Sequence, residues 1–315
     1  MPTQPTTLAR NAGLAALGML AAAAGARALR QRGPATGKSG AHDATVTAAR
    51  RLNRAAGLIA TSTLLDSGVE HYRGMFHNKA MVTPLVVSAL TLAVSAHGMQ
   101  DERKFAHRVR DSIYAAAALT GLLGTGFHVY NIGKRPGGFS WQNLFYGSPL
   151  GAPAAVALAG LLGYYSERLR ESRGGKAPRV FRVPAGRALA ALTAVGLVAT
   201  SAEAGLLHFR GAYHDPFMFV PVTVPPIAAA LLSETAATHP HRPRRLTRWW
   251  LRLTALTGFV GAGFHVFGVT RDMGGWRNWS QNILNGPPIP APPSFTGLAL
   301  AGLAALGLIE EHPRA

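Results

Sequence analysis

Long apolar stretches alternate with short polar ones along this chain, and that alternation sets the fold class. The apolar segments cover roughly 11–29, 52–72, 80–98, 112–132, 151–166, 188–209, 217–236, 249–269 and 294–309. Most approach the ~20 residues an α-helix needs to cross a bilayer. Two, 151–166 and 294–309, are short, and the first of these is mostly Ala and Gly. A soluble helix of such length keeps a polar face, and these segments mostly do not. The pattern predicts an all-α integral membrane protein with about nine transmembrane helices. The first segment, 11–29, also fits a signal peptide through its small-residue run Ala21–Ala26. Its leading part carries only Arg10, and basic residues follow the apolar part, which favours an uncleaved span.

Composition sharpens this reading. Of 315 residues, 48% are hydrophobic and only 15% charged, which excludes a disordered chain. There is no Cys, which excludes disulfides, thiolate clusters, covalently attached haem and a Cys nucleophile. The net charge of +18 raises nucleic-acid binding, but the charge lies in short runs between apolar segments. Of the 32 Lys and Arg residues, 24 lie in linkers 27–54, 98–112, 166–187 and 236–252 and at the C-terminus. The other eight are Arg10, Arg73, Lys79, Lys134, Arg135, Arg210, Arg271 and Arg277. The two sets alternate along the chain, the positive-inside pattern of a multispanning protein. It predicts an outside N-terminus and a cytoplasmic C-terminus, with the lipid bilayer rather than nucleic acid as partner. The Ala/Arg-rich composition points to a bacterial inner membrane.

The chain also matches itself at an offset of 137. His71-Tyr-Arg-Gly-Met-Phe-His77 lies over His208-Phe-Arg-Gly-Ala-Tyr-His214, and the run Gly121 to Tyr130 lies over Gly258 to Phe267. Pro84 falls on Pro221, and Gly137-Gly138 on Gly274-Gly275. After two inserted residues, Gln142-Asn143 falls on Gln281-Asn282 and Pro153 on Pro292. Collinear matches at one offset mark an internal duplication. Each copy holds four spans, so the copies share an orientation, as parallel repeats do. The predicted organisation is an N-terminal span and linker over 1–50, one four-helix half over 51–170 and a second over 187–311.

The two copies share three histidine pairs, His71/His208, His77/His214 and His128/His265, together with Arg73/Arg210 and an acid at Asp66/Glu203. All fall near the extracytoplasmic ends of their spans. Three chemistries fit. Two neutral histidines on neighbouring helices, small residues beside them and a cation for propionates suit b-type haem. His71 with His128, and His208 with His265, are then axial pairs. Gly121, Gly124 and Gly126, with Gly258, Gly261 and Gly263, leave room, and Arg73 and Arg210 hold propionates. Alternatively, His71, His77 and His128 with Asp66 or Glu70 make a site for Zn, Cu or Fe, with His77 and His214 as metal ligands. That site requires a chain reversal after Gly74, and Leu207 stands where Glu70 does in the first copy. Finally, interfacial histidines can simply bond loop backbone, and Gly-rich spans can simply pack closely.

Asp66, Glu70 and Glu203 are intramembrane acids, costly in lipid and normally turned to the bundle interior. They suit a proton relay or ion path, and equally a bond to a neighbouring helix or to Arg73 or Arg210. Phe139, Trp141, Phe145, Tyr146, Trp276 and Trp279 crowd the outer loops, as a headgroup-level belt or a docking face. There is no phosphate loop, no Gly-x-Ser-x-Gly elbow and no His-Glu-x-x-His. The expectation is a non-catalytic membrane subunit with two haem b groups, linking an extracytoplasmic dehydrogenase to quinone. The alternatives are a transporter or channel with a site between the halves, or a plain membrane anchor for a partner enzyme.

Overall fold

The computed structural model describes residues 38–103, 105–172, 178–180, 182–238 and 244–312. The expected span at 11–29 lies outside them. The described chain is helical: α1 (Lys38–Arg73), α2 (Thr83–Gln100), α3 (Arg108–Gly133), the short α4 (Trp141–Tyr146), α5 (Gly151–Arg170), α6 (Ala185–Arg210), α7 (Val220–Ala237), α8 (Arg245–Arg271), the short α9 (Trp279–Asn285) and α10 (Pro293–Glu311). The only sheet among the described residues is a two-residue antiparallel pair, β1 (Arg179–Val180) on β2 (Val183–Pro184).

Among the described residues, six helical segments are long and apolar enough to cross a membrane, those ending with α2, α3, α6, α7, α8 and α10. The multi-pass helical character expected from the sequence is therefore present. The expected spans 52–72 and 151–166 are helical, in α1 and α5, but fall outside this group. The reason is the polar residues within them. Helix α1 carries Asn53, Ser62, Thr63, Asp66 and Ser67 inside its apolar stretch, and α5 ends in Glu167-Arg168. Both helices are inner helices, so their polar side chains meet protein instead of lipid.

α1, α2, α3 and α5 pack around one another, as do α6, α7, α8 and α10. The two groups meet chiefly along α1 and α10, and less extensively between α5 and α6. Leu52 and Ile59 of α1, Leu162 and Leu169 of α5, Leu189 and Leu197 of α6, and Leu300 and Leu306 of α10 form one continuous core. Of the apolar window of α10, 78% is buried, against 17% in α2 and α3 and 22% in α7 and α8, so these four present their apolar faces outward. Proline starts several helices: Pro84 in α2, Pro221 in α7 and Pro293 in α10 each occupy the first turn, where the missing N–H has no partner to lose.

Helices α1 and α6 stop in the same way. Phe76 N–H donates to the His71 carbonyl at 3.0 Å and Met75 N–H to the Tyr72 carbonyl at 2.8 Å. In the second case Tyr213 N–H donates to His208 O at 3.1 Å and Ala212 N–H to Phe209 O at 2.9 Å. This is the Schellman closure, whose turning residue is usually Gly. Here it is Met75 at φ 53° and Ala212 at φ 56°, both left-handed. Left-handed backbone costs a non-Gly residue about 1–2 kcal/mol. Ala212→Gly should therefore raise stability by about 1 kcal/mol, read from thermal unfolding in detergent; a lowered midpoint would contradict the strained turn.

A charge network closes the opposite end of the first four long helices. Arg110, at the start of α3, donates to both oxygens of Glu167 on α5 at 2.8 and 3.0 Å and to Asp101 at 2.7 Å. The side chains of Arg110, Glu167 and Arg170 are at most 1% exposed. Arg170 donates to the carbonyls of Gly98, Asp101 and Arg103 at 2.8–2.9 Å, tying the α2–α3 loop to α5. Burial alone would raise the Asp101 carboxyl, but the Arg103 amide and the Arg110 guanidinium outweigh it and hold it below the usual carboxylate range. A carboxyl depressed in the folded state contributes stability above its unfolded value of ~3.9, and loses it as pH falls through the lower folded value. Asp101→Asn should flatten the acid limb of the stability–pH profile. An acid limb unchanged from that of the parent would contradict the assignment.

Candidate functional site

The expected site residues gather at one end of the bundle, where α1, α3, α6 and α8 end and α2, α5, α7 and α10 begin. Each histidine is held by the same kind of bond. His71 Nδ1 donates to the Met81 carbonyl at 2.6 Å and His208 Nδ1 to Met218 O at 2.7 Å. His77 Nδ1 bonds Gly74 O at 3.0 Å, and His214 Nδ1 bonds Gly211 O at 2.9 Å. His128 Nδ1 reaches Pro149 O at 2.5 Å, and His265 Nδ1 reaches Pro288 O at 2.7 Å. A carbonyl can only accept, so Nδ1 is the protonated nitrogen of each bond and Nε2 is the nitrogen left for a ligand. A second bond that fixes tautomer and ring direction is the arrangement that supports a metal-ligating imidazole.

Segments between the helices supply these carbonyls. Met81 sits in a helical turn, Lys79–Val82, started by the Asn78 side chain accepting from Ala80 N–H at 2.9 Å. Asp215 does the same for Phe217 N–H at 2.9 Å ahead of Met218. Between α3 and α5, Asn143 donates to the Pro136 and Gly138 carbonyls at 3.0 and 2.8 Å. Asn282 donates to Met273 O and Gly275 O at 3.3 and 3.0 Å between α8 and α10. The Gly pairs 137–138 and 274–275 are all at positive φ, which these turns require. The shared Gly-Gly and Gln-Asn motifs are thus the scaffold of the loops at this end of the bundle.

His71 lies within electrostatic range of His128 and His77, and His265 within range of His208. The chain reversal after Gly74 is present in the turn through Met75 and Phe76. Even so, among the described residues no three His, Asp or Glu side chains stand close enough to hold a metal ion. The histidine pairs within range of each other across helices are His71 with His128, on α1 and α3, and His208 with His265, on α6 and α8.

The arginines and glycines divide differently from expectation. Arg73 bonds Glu70 at 2.6 Å, so its charge is already met by a carboxylate. Arg210 lies over the Phe145 and Tyr146 rings, at 4.9 and 5.5 Å from their centroids, and so reaches from α6 to α4. A Cβ on Gly121 would collide with the Ala157 backbone, and one on Gly258 with Thr296, so these two positions serve helix contact and leave no room for a ligand. Gly124 and Gly261 face Pro153 and Pro292. Only Gly126 and Gly263 of the six have nothing within 4 Å of the point where a Cβ would stand.

Of the acids, Glu70 pairs with Arg73 on its own helix, and Glu203 reaches from one group of helices to the other. Asp66 is within electrostatic range of Glu70 and Glu203. Glu203 accepts from Gly151 N–H at 3.1 Å at the start of α5. Gly151 corresponds to Pro290 ahead of α10, and a proline offers no N–H, so the second copy of this bond is chemically impossible. Of the outer-loop aromatics, Phe139, Trp141, Tyr146 and Trp279 are exposed, while Phe145 is buried against Phe209 and Arg210. No family model matches this chain, and no curated protein or solved structure is significantly similar to it.

Proposed function

We propose that the chain is a bacterial inner-membrane electron-transfer subunit that holds two b-type haems near its extracytoplasmic face, with its N-terminus outside and its C-terminus in the cytoplasm. In this reading the chain is a nine-span protein built from two parallel four-helix copies after an N-terminal span. It serves an extracytoplasmic dehydrogenase and passes electrons to quinone. The observation that carries it is the common pose of all six shared histidines, each with Nδ1 bonded to a backbone carbonyl and Nε2 left for a ligand. The recurrence of those bonds 137 residues on supports the duplication.

His71 with His128, and His208 with His265, would hold the two haem irons, which would supply one-electron chemistry. Two ligands per iron fit the lack of any three-ligand group among the described residues. Gly126 and Gly263, open on one side, leave space for a flat ring. Arg73 can meet a propionate only by sharing with or leaving Glu70, and Arg210 by leaving the Phe145–Tyr146 face. The outer aromatics Trp141, Tyr146 and Trp279 are the proposed docking face for the dehydrogenase. The test is an absorption spectrum of protein purified from haem-replete cells, oxidised and then reduced with dithionite. Sharp reduced bands of low-spin haem b are expected; a colourless protein would overturn the reading.

One observation favours a second reading. Asp66 on α1 and Glu203 on α6 lie within electrostatic range of each other, one in each half, as a proton or ion path between the halves requires. Proton or cation flux into proteoliposomes that is lost in Asp66→Asn, from a protein without haem bands, would favour that transporter over the electron carrier.

A further inference from the structure

Four arginines meet at the basic end of the bundle with one carboxylate bonded to them. Arg51 and Arg54 are three apart on α1, and Arg248 and Arg252 four apart on α8, so each pair shares a helix face. Both helices pack on α10. Arg51, itself half-buried, donates to the Leu303 carbonyl of α10 at 3.2 Å, and Arg248 pairs with Glu310 two turns further along α10. Arg51 lies within electrostatic range of Arg54, Arg248 and Arg252. Arg54 and Arg252 have no hydrogen bond or ion pair to any described residue. Four like charges, three part-buried and Arg252 exposed, with Glu310 as the one carboxylate bonded to them, suit an anion.

The positive-inside bias alone does not explain the cluster. At the positions 137 residues away stand Ala188, Ala191, Asp111 and Ala115. Asp111 there is paired with Arg168 at 2.7 Å. The charge was built on one of two otherwise corresponding faces. Trp249 and Leu246, both exposed beside Arg248, place the cluster at the boundary between apolar and polar surroundings. Arginine forks match the oxygens of phosphate, and basic pockets between spanning helices take the headgroups of anionic lipids.

We propose that the surface where α1 and α8 pack on α10 binds a phosphate group, presented by an anionic phospholipid or as the free ion, on Arg51, Arg54, Arg248 and Arg252. This rests only on the membrane reading and is independent of haem. The test uses the full chain, delipidated in detergent, with thermal unfolding followed against phosphatidylglycerol, phosphatidylcholine or inorganic phosphate. Arg54→Gln with Arg252→Gln removes two charges and leaves the Arg51 and Arg248 bonds to α10 intact. At roughly fivefold per arginine, the double variant should bind about 25-fold more weakly. Arg103→Gln, an exposed arginine elsewhere on the basic end, should bind as the parent does. A midpoint raised by phosphatidylglycerol alone identifies the lipid headgroup. One raised equally by inorganic phosphate identifies the free ion. No rise with either, a rise equal with phosphatidylcholine, or equal weakening in Arg103→Gln would overturn the proposal.

Discussion

Neutralising Glu167 should destabilise the folded chain by about 3–5 kcal/mol, the usual cost of leaving buried charge without its partner. Glu167→Gln leaves Arg110 and Arg170 inside the bundle with the Asp101 carboxylate as their remaining counter-charge. It also weakens the acceptor of the His107 N–H, now bonded to Glu167 at 2.8 Å. The chain offers its own control. In the second copy of the proposed duplication, the positions matching Asp101, Arg110, Glu167 and Arg170 are Thr238, Thr247, Leu306 and Ile309. There Thr235 and Thr247 meet at 3.5 Å and Leu306 is fully buried. Replacing all four charged residues together by those of the second copy should cost far less than Glu167→Gln alone, because no charge is left behind. Unfolding midpoints of the two variants decide the matter. A single substitution milder than the fourfold one would contradict the network as described.

Gly121→Ala should be the most damaging of the small substitutions in the apolar spans, by about 1–3 kcal/mol. The added methyl meets the backbone of Ala157 and Pro153 on α5, which cannot rotate away. Helix α3 must then move off α5, the neighbour it contacts most. Gly258→Ala should follow the same course against Pro292 and Thr296. Gly126→Ala and Gly263→Ala meet nothing, and should be neutral or stabilising by up to ~1 kcal/mol through helix propensity. The contrast is read from unfolding in detergent without added haem. Equal effects at Gly121 and Gly126 would contradict the assignment of the first to helix contact.

Much of the fold is legible in the apolar pattern, because helices this long and apolar have few alternatives. Eight of the nine expected segments coincide with long helices, the ninth lying outside the described residues. Which helices sit inside is less legible: α1 and α5 carry the polar residues, and only packing shows that these meet protein. The histidines stand out because they recur at one offset. Their bonds to Met81, Pro149, Met218 and Pro288 leave no trace in the sequence, since a backbone acceptor has no side-chain signature. The Gly121 run suggests room, yet its first glycine is filled by α5, because a small residue signals close approach without naming what approaches. The Arg110–Glu167 network and the Arg51 cluster are hidden for a related reason. Their members belong to the basic linkers, which count as one sign of charge in the topology, and only three-dimensional pairing separates bonded arginines from free ones.

The most direct measurement is haem stoichiometry, by pyridine haemochrome, in the parent and in His128→Ala, His265→Ala and the double variant, each confirmed folded. Two symmetric bis-histidine sites predict two haems in the parent, one in each single variant and none in the double. Haem content unchanged by these substitutions, or absent from the parent, would contradict the central claim.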